Sequence, residues 1–285
     1  MSFKAAAVQM CSGVDPTKNA AAMARLVREA VAQGATYVQT PEMTGMLQRD
    51  RAAARAVLAD EAHDIIVKTG SELAVELGIH MHVGSTAIAL ADGKIANRGF
   101  LFGPDGRILN RYDKIHMFDV DLDNGESWRE SAAYTAGSEA RVLSLPFAEM
   151  GFAICYDVRF PALFRAQAMA GAEVMTVPAA FTKQTGEAHW EILLRARAIE
   201  NGVFIIAAAQ AGRHEDGRET FGHSMIIDPW GTVLASAGAT GAAVIVAEID
   251  PAAVKAAHDK IPNLRNGREF SVEKIAGAVA GGVAA

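Results

Sequence analysis

Residues 151–161 read GFAICYDVRFP, and this stretch passes from a strand into a helix within a few residues. Its first five residues, 151–155, predict a buried strand; a polar, turn-forming segment follows, and Pro161 suits the first position of a helix. At such an elbow a cysteine side chain can lie beside free backbone N–H groups, so Cys155 is a candidate nucleophile. A free cysteine is also among the residues most often buried in cores, and the local sequence leaves both interpretations open.

Segments typical of strands and of helices alternate on both sides of this stretch. The predicted strands are residues 5–10, 37–40, 82–90, 99–102, 151–155, 174–177, 203–210, 224–227 and 244–249. Most are short and almost continuously apolar, which indicates strands covered on both faces. The predicted helices are residues 16–33, 60–77, 161–171 and 188–201. Because Gly- and Asp-containing turns also separate some strands, the pattern predicts an α/β sandwich with parallel and antiparallel pairing.

The composition is that of a globular protein and excludes several classes. Of the 285 residues, 51% are hydrophobic and 21% are charged, unlike a disordered chain. The net charge of −6 leaves no excess of basic residues to neutralise phosphates, so we expect no nucleic-acid partner. No run of about 18 apolar residues occurs, so we expect no membrane-spanning helix. With two cysteines and no secretory pattern at its start, the chain is expected to keep free thiols in the cytoplasm.

Two charged residues stand where a reaction could use them. Glu42 directly follows Pro41 at the end of a predicted strand, where desolvation would raise its pKa and suit it to act as a base. Lys114 lies among apolar and charged residues that could hold it in a cleft against carboxylates. Taken singly, each is more simply a solvated surface residue. Together with Cys155 they supply a nucleophile, a base and a positive stabiliser, which is a complete hydrolytic set.

Three motifs in order along the chain resemble the nitrilase, or carbon–nitrogen hydrolase, superfamily. They are TPE (40–42), YDKIH (112–116) and ICYDVRFP (154–161), and the resemblance runs from Val8 to about Asp250. The separations between Glu42, Lys114 and Cys155 are also similar to those of the family. Three motifs in this order are far more specific than any one of them.

The resemblance implies a fold and a reaction. The fold is a four-layer α-β-β-α sandwich of two similar halves, with one domain over residues 1–274 and an Ala/Gly-rich tail over 275–285. In the reaction, Glu42 takes the Cys155 proton and the thiolate attacks an amide carbon. Lys114 and the backbone N–H of Tyr156 stabilise the oxyanion. A thioester forms, ammonia leaves, and water releases the acid.

The resemblance also implies a second glutamate beside these three residues. Glu130 fits this element because Gly137 follows at the expected spacing. Glu126 is a nearby alternative, and the sequence leaves the choice open.

Further segments resemble the Nit branch of the superfamily, among them GHS (222–224) and DPWG (228–231). Within that branch, AAAQ (207–210) followed by GRH (212–214) is closer to deaminated glutathione amidases than to ω-amidases. This resemblance implies a small carboxylate-bearing amide as the substrate. Arg159 could bind its carboxylate through its forked donors, or could equally bond neighbouring loops. The other expected substrate-binding residues are Tyr156, Phe181, Thr182 and Thr185, with the two threonines in a polar loop.

Two alternative functions stay open. One is an ω-amidase, or another aliphatic amidase or nitrilase with the same chemistry. The other is a catalytically silent binding or assembly protein, which the intact Glu42, Lys114 and Cys155 argue against. No cofactor is expected, and no metal, because His80 and His82 have no third ligand at a suitable spacing. The family resemblance implies a homo-oligomer.

Overall fold

The computed structural model describes residues 1–121, 125 and 127–275. Glu126 and residues 276–285, most of the predicted tail, lie outside them. The strands are β1 (Phe3–Gln9), β2 (Tyr37–Gln39), β3 (His80–Ala89), β4 (Ile95–Phe102), β5 (Ile108–Asp113), β6 (Asp119–Asp121), β7 (Ser127–Arg129), β8 (Val142–Ser144), β9 (Glu149–Phe152), β10 (Val174–Thr176), β11 (Phe204–Ala207), β12 (Ala211–Arg213), β13 (Glu219–Phe221), β14 (Met225–Ile227), β15 (Val233–Ser236) and β16 (Ala243–Ile249). The helices are α1 (Pro16–Ala32), α2 (Arg51–Val57), α3 (Ile65–Leu77), α4 (Pro161–Met169), α5 (Lys183–Asn201) and α6 (Ala252–Lys260), with short 3₁₀ helices at Glu130–Ala132 and Cys155–Arg159.

Strand β1 shows why the apolar runs are nearly continuous. Its side chains alternate between the two faces of the sheet. Ala5 and Ala7 pack in the core shared by the two large sheets, whereas Ala6 and Val8 pack in a second core beneath the helices on the outer face. Both faces are therefore covered, and a strand with two covered faces is almost continuously apolar.

The two large sheets repeat one pattern. The first has the order β16-β1-β2-β3-β4-β5, and the second β15-β14-β11-β10-β9-β8. In the first, β1, β2 and β3 are parallel and the other pairs antiparallel. In the second, β9, β10 and β11 are parallel and the other pairs antiparallel. Helices α1 and α3 cover the first sheet, and α4 and α5 the second. The predicted four-layer sandwich of two similar halves is confirmed.

The candidate site lies where strands of both sheets end. Glu42 follows β2, Lys114 follows β5, Cys155 follows β9, and the backbone of Ala180 follows β10. These strands point their carboxyl ends toward one edge of the sandwich, as open α/β sheets do around ligands.

Gly84 in β3 lets two of these strand ends approach closely. A Cβ atom there would lie 2.1 Å from the carbonyl oxygen of Thr40 and 2.4 Å from the Cβ atom of Pro178. Only a residue without a side chain permits this contact between the sheets.

Several predicted boundaries were wrong, among them the strand predicted over 99–102, which begins at Ile95, and the one predicted over 151–155, which ends at Phe152. The helix predicted over 60–77 begins at Ile65, because the Asp64 side chain accepts the N–H groups of Ile66 and Val67 and caps the helix there. The strand predicted over 203–210 ends at Ala207. The helix predicted over 188–201 begins at Lys183. Thr182 and Thr185 therefore occupy the N-cap position and first turn of α5 rather than a loop.

Candidate active site

Cys155 occupies a strained elbow between β9 and α4. Its φ angle of 50° is in the left-handed region, which residues with a side chain rarely adopt. Its N–H donates to the carbonyl of Pro178 at 2.9 Å, and its side chain is buried. Tyr156 follows in the first turn of the 3₁₀ helix, where backbone N–H groups have no intrahelical partner. The elbow thus combines a buried thiol with a backbone donor, and the sequence had left a buried Cys155 and an accessible one both open.

Asp157 ties this elbow to the end of β5. Its carboxylate is fully buried and accepts from the N–H of Ile154 at 2.9 Å and the hydroxyl of Tyr112 at 2.8 Å. The backbone N–H of His116 donates to the same carboxylate at 3.0 Å. These bonds fix the segment carrying the nucleophile relative to the segment carrying Lys114. Asp157 is not among the site residues predicted from sequence, although it lies inside the motif ICYDVRFP (154–161).

Lys114 joins two glutamates in the interior. Its Nζ atom lies 2.8 Å from Oε1 of Glu42, and 3.0 and 2.8 Å from Oε1 and Oε2 of Glu130. The side chains of Lys114 and Glu42 are 2% and 5% exposed, so water screens this pair little. The sequence left Glu130 and Glu126 open; Glu130 is the one that contacts Lys114 among the described residues.

Two contacts orient the Glu42 carboxylate. The Asn97 side-chain amide donates to Oε1 at 2.9 Å, and the Ala180 backbone N–H donates to Oε2 at 2.8 Å. Asn97 also reaches Oε1 of Glu130 at 3.3 Å. Neither Asn97 nor Ala180 was predicted from sequence to be part of the site. Both are far from Glu42 along the chain and come close to it because of the way the strands are arranged in the sheets. Together with Lys114 they hold both oxygens of Glu42 in place.

Burial and the neighbouring charges determine which of Glu42, Lys114 and Cys155 carry a proton. Burial alone would raise the pKa of Glu42, but the charge and hydrogen bond of Lys114 lower it, so Glu42 is a carboxylate. Burial opposes the charged form of Lys114, yet Glu130 and Glu42 raise its pKa well above the usual value, so it is an ammonium. Burial, and then the Glu42 charge, raise the pKa of Cys155 well above normal. Cys155 is therefore a thiol within hydrogen-bonding reach of Glu42, and it needs a base before it can attack.

A cavity of about 640 Å³ opens onto these residues. Cys155, Glu42, Lys114 and Glu130 line it, and so do four of the five predicted substrate-binding residues: Tyr156, Phe181, Thr182 and Thr185. Arg159 is not part of this lining. Its guanidinium lies over the rings of Phe181, at 5.3 Å, and Tyr156, at 6.0 Å, beside the wall that these rings form.

His82, one of the two histidines on β3, contacts another side chain in the core. The ring Nδ1 of His82 is 2.7 Å from the hydroxyl of Tyr37, and burial lowers the His82 pKa to about 3. Within residues 1–121, 125 and 127–275, no three His, Cys, Asp or Glu side chains are grouped to hold a metal ion. Of the helices in the same part of the chain, none is long and apolar enough to span a membrane.

Comparison with known proteins agrees with this arrangement. Residues 4–259 match the family model described as carbon-nitrogen hydrolase. A deaminated glutathione amidase from Yersinia enterocolitica is 38% identical over 269 residues, covering 93% of each chain, and one from Synechocystis is 39% identical, covering 93% of this chain and 97% of its own. The crystal structure of the C. elegans NitFhit protein superimposes with a TM-score of 0.86 at 32% identity. That superposition covers 94% of this chain and 65% of the longer NitFhit chain. The protein is a member of the carbon–nitrogen hydrolase family.

Proposed function

We propose that this protein hydrolyses an amide bond of a small carboxylate-bearing substrate through a thioester on Cys155. The observation that carries the proposal is the buried contact of Lys114 with Glu42 and Glu130, beside a thiol at a cavity wall. An ionised base, a protonated thiol and a fixed cation are the groups that acyl transfer requires. The scheme uses the four catalytic residues expected from sequence, Glu42, Lys114, Cys155 and Glu130.

The first half-reaction acylates the enzyme. Glu42 accepts the Cys155 proton as the sulfur–carbon bond forms, and the carbonyl electron pair moves onto oxygen. The Nζ of Lys114 and the N–H of Tyr156 stabilise this oxyanion, and each such donor is typically worth about 3–4 kcal/mol. When the intermediate collapses, the carbon–nitrogen bond breaks and Glu42 returns the proton to the departing nitrogen.

The second half-reaction releases the acid. Glu42, again a carboxylate, takes a proton from water, whose oxygen attacks the thioester carbon. The carbon–sulfur bond then breaks, and the thiolate recovers the proton from Glu42. Glu130 and Asn97 act through the others: they hold Lys114 and Glu42 and do not exchange protons with the substrate.

Deaminated glutathione is the substrate we propose. The relatives at 38% and 39% identity carry that name, and the sequence resemblance favours the same branch. Its two amide bonds are secondary and it bears two carboxylates. The leaving group is therefore an amine, whereas the ammonia expected from sequence comes only from primary amides such as 2-oxoglutaramate.

The test compares both kinds of product with a matched blank. Wild type and Cys155→Ala are incubated with deaminated glutathione and with 2-oxoglutaramate, and both amine and ammonia are measured. Amine release from deaminated glutathione, lost in Cys155→Ala while circular dichroism is unchanged, supports the proposal. Ammonia release from 2-oxoglutaramate alone identifies an ω-amidase. Equal turnover in Cys155→Ala contradicts the mechanism. If wild type turns over neither amide, the alternative function of a catalytically silent binding protein is favoured.

Three further properties belong to this proposal. We propose one domain over residues 1–274, a homo-oligomeric assembly and a cytoplasmic location. The oligomer is supported by apolar side chains exposed on α5 and β15, Ile192, Ile199 and Leu234. The location is supported by the two cysteines, both free thiols. Light scattering of the purified protein and cell fractionation test the last two.

A further inference from the structure

Arg218 is a buried cation with donor capacity that its neighbours do not use. It lies in the turn between β12 and β13, where Asp216 accepts its backbone N–H at 3.0 Å and pairs with its guanidinium at 3.2 Å. The side chain is 16% exposed, and its Nε atom is buried without a hydrogen-bond partner among the described residues. A buried donor left unpaired costs free energy, so such an atom is expected to bind an ordered water or a ligand.

Arg49 brings a second guanidinium to the same place. The Cζ atoms of Arg218 and Arg49 lie 4.9 and 5.2 Å from the ring centre of Trp128. Arg49 forms no ion pair with a carboxylate in the described part of the chain. Burial lowers the pKa of Arg218, Asp216 partly offsets this, and the charge of Arg49 lowers it further. An anion close to both guanidinium groups would offset their mutual repulsion.

The cavity supplies no carboxylate of its own for this purpose. Among its described lining residues, the acidic ones are Glu42 and Glu130, and both are bound to Lys114. Arg49 and Arg218 line the same cavity as Cys155. Within the described part of the cavity lining, no carboxylate is therefore left to pair with Arg49 and Arg218.

An aromatic wall connects this place to the nucleophile. The ring of Phe118 lies 6.4 Å from Trp128 and 5.1 Å from Tyr156, the residue after Cys155. Arg159 stacks at the far end of the wall, over Tyr156. Guanidinium groups therefore stand at both ends of one wall, with Cys155 nearer the Arg159 end.

We propose that Arg218 and Arg49 form a subsite, on the Trp128 side of the cavity, for a second carboxylate of the substrate remote from the scissile amide. The planar guanidinium of Arg218 would bind the carboxylate through its fork, including Nε, and Arg49 would close over it from the cavity mouth. This subsite rests on the proposed amidase function, and it selects dicarboxylate amides such as deaminated glutathione over amides with one carboxylate.

The test labels Cys155 with matched reagents, so that it does not depend on which amide is the substrate. The probes are N-iodoacetylglycine and N-iodoacetylglycylglycine, each compared with its C-terminal carboxamide. The ratio of labelling rates, carboxylate over carboxamide, is measured by mass spectrometry. Because Asp216 could lose its partner in Arg218→Gln, the variants are Arg218→Lys, which keeps the charge but not the fork or Nε, and Arg49→Gln. Arg25→Gln, on α1, is the control for charge alone.

We expect wild type and Arg25→Gln to favour the carboxylate probe of suitable length by about 10- to 100-fold, the range for a charge-assisted hydrogen bond. The preference should fall at least several-fold in both Arg218→Lys and Arg49→Gln. A wild type without preference, or variants that keep it, would overturn the subsite, and a loss confined to Arg49→Gln overturns the role of Arg218. Turnover of deaminated glutathione is measured on the same proteins. Absent turnover with the labelling pattern intact defeats the proposed function and leaves the subsite standing; turnover with unaffected labelling does the reverse.

Discussion

Replacing Lys114 with methionine should make the stability of the protein depend on pH in a new direction. Methionine fills similar space without a charge, so Glu42 and Glu130 lose the cation that lies 2.8 Å from each. Asn97 would still hold both carboxylates, since its amide contacts Glu42 at 2.9 Å and Glu130 at 3.3 Å. Two carboxylates confined in this way titrate as a pair, and one of them retains a proton.

The magnitude follows from burial. Removing one partner of a buried ion pair costs about 3–5 kcal/mol, and one pKa unit corresponds to about 1.4 kcal/mol. We therefore expect the upper pKa of the carboxylate pair to rise by about three units above that of the unfolded chain. In wild type the Glu42 pKa is lowered, so its contribution is present above the unfolded pKa and is lost as the pH falls. In Lys114→Met the raised pKa has the opposite effect: the penalty is absent in acid and grows as the pH rises toward the folded value.

Urea unfolding followed by tryptophan fluorescence at pH 5 and pH 8 measures this difference. The loss in free energy of unfolding caused by Lys114→Met should be about 3 kcal/mol larger at pH 8 than at pH 5. The triple variant Lys114→Met with Glu42→Gln and Glu130→Gln is the control: it removes both carboxylates and should remove the pH dependence that Lys114→Met introduces. An equal loss at both pH values would refute the reasoning, because it would mean that packing and not charge sets the cost.

Three other predictions concern the frame of the site and its charge. Gly84→Ala should lower the free energy of unfolding by more than about 2 kcal/mol, because the added methyl group would lie 2.1 Å from the carbonyl oxygen of Thr40; Gly238→Ala, with no atom within 4 Å of its Cβ position, is the control in the same urea experiment. Both carboxylate oxygens of Asp157 accept hydrogen bonds, and in Asp157→Asn one of them becomes an NH2 group that cannot accept. Steady-state kinetics should therefore show kcat reduced up to about 10²-fold with KM little changed. An altered KM alone would contradict a positioning role. Raising NaCl from about 20 to about 300 mM should lower kcat/KM for deaminated glutathione, whereas a rise would mean that the net charge of −6 dominates.

The layers of the fold could be predicted because the apolar pattern of a single strand shows which of its faces are buried. In β1 the run from Ala5 to Val8 is apolar on both faces, and this alone indicates a sheet covered on two sides. The position of the site was equally accessible, since Glu42 and Cys155 each come directly after a buried strand. Weakly patterned elements were missed: β6 and β7 are three residues long and mostly exposed, and α2 buries no residue. Such segments have no apolar periodicity to recognise.

The contacts that organise the site could not be predicted for a different reason. Asn97 and the Ala180 N–H are 55 and 138 residues from Glu42 in sequence, and the pairing of whole strands brings them to it. Asparagine in a strand and a backbone N–H carry no local signal of such a role. Arg218 is similar: its place over Trp128 depends on two hairpins that lie far apart in the chain. Sequence motifs mark the groups that react, whereas long-range topology selects the groups that hold them.

The net charge of the chain also differs in its meaning from the local charge of the cavity. A net charge of −6 argues against binding to a polyanion, whose phosphates extend over many Debye lengths. A small substrate samples only the field within a cavity, and the Debye length at physiological ionic strength is about 8 Å. The two carboxylates described in the lining are already bound to Lys114, so an entering anion meets the guanidinium groups of Arg49 and Arg218 with little opposing charge. An acidic protein can therefore have a cationic pocket, because the net charge includes surface charges that are too distant and too well screened to act within the pocket.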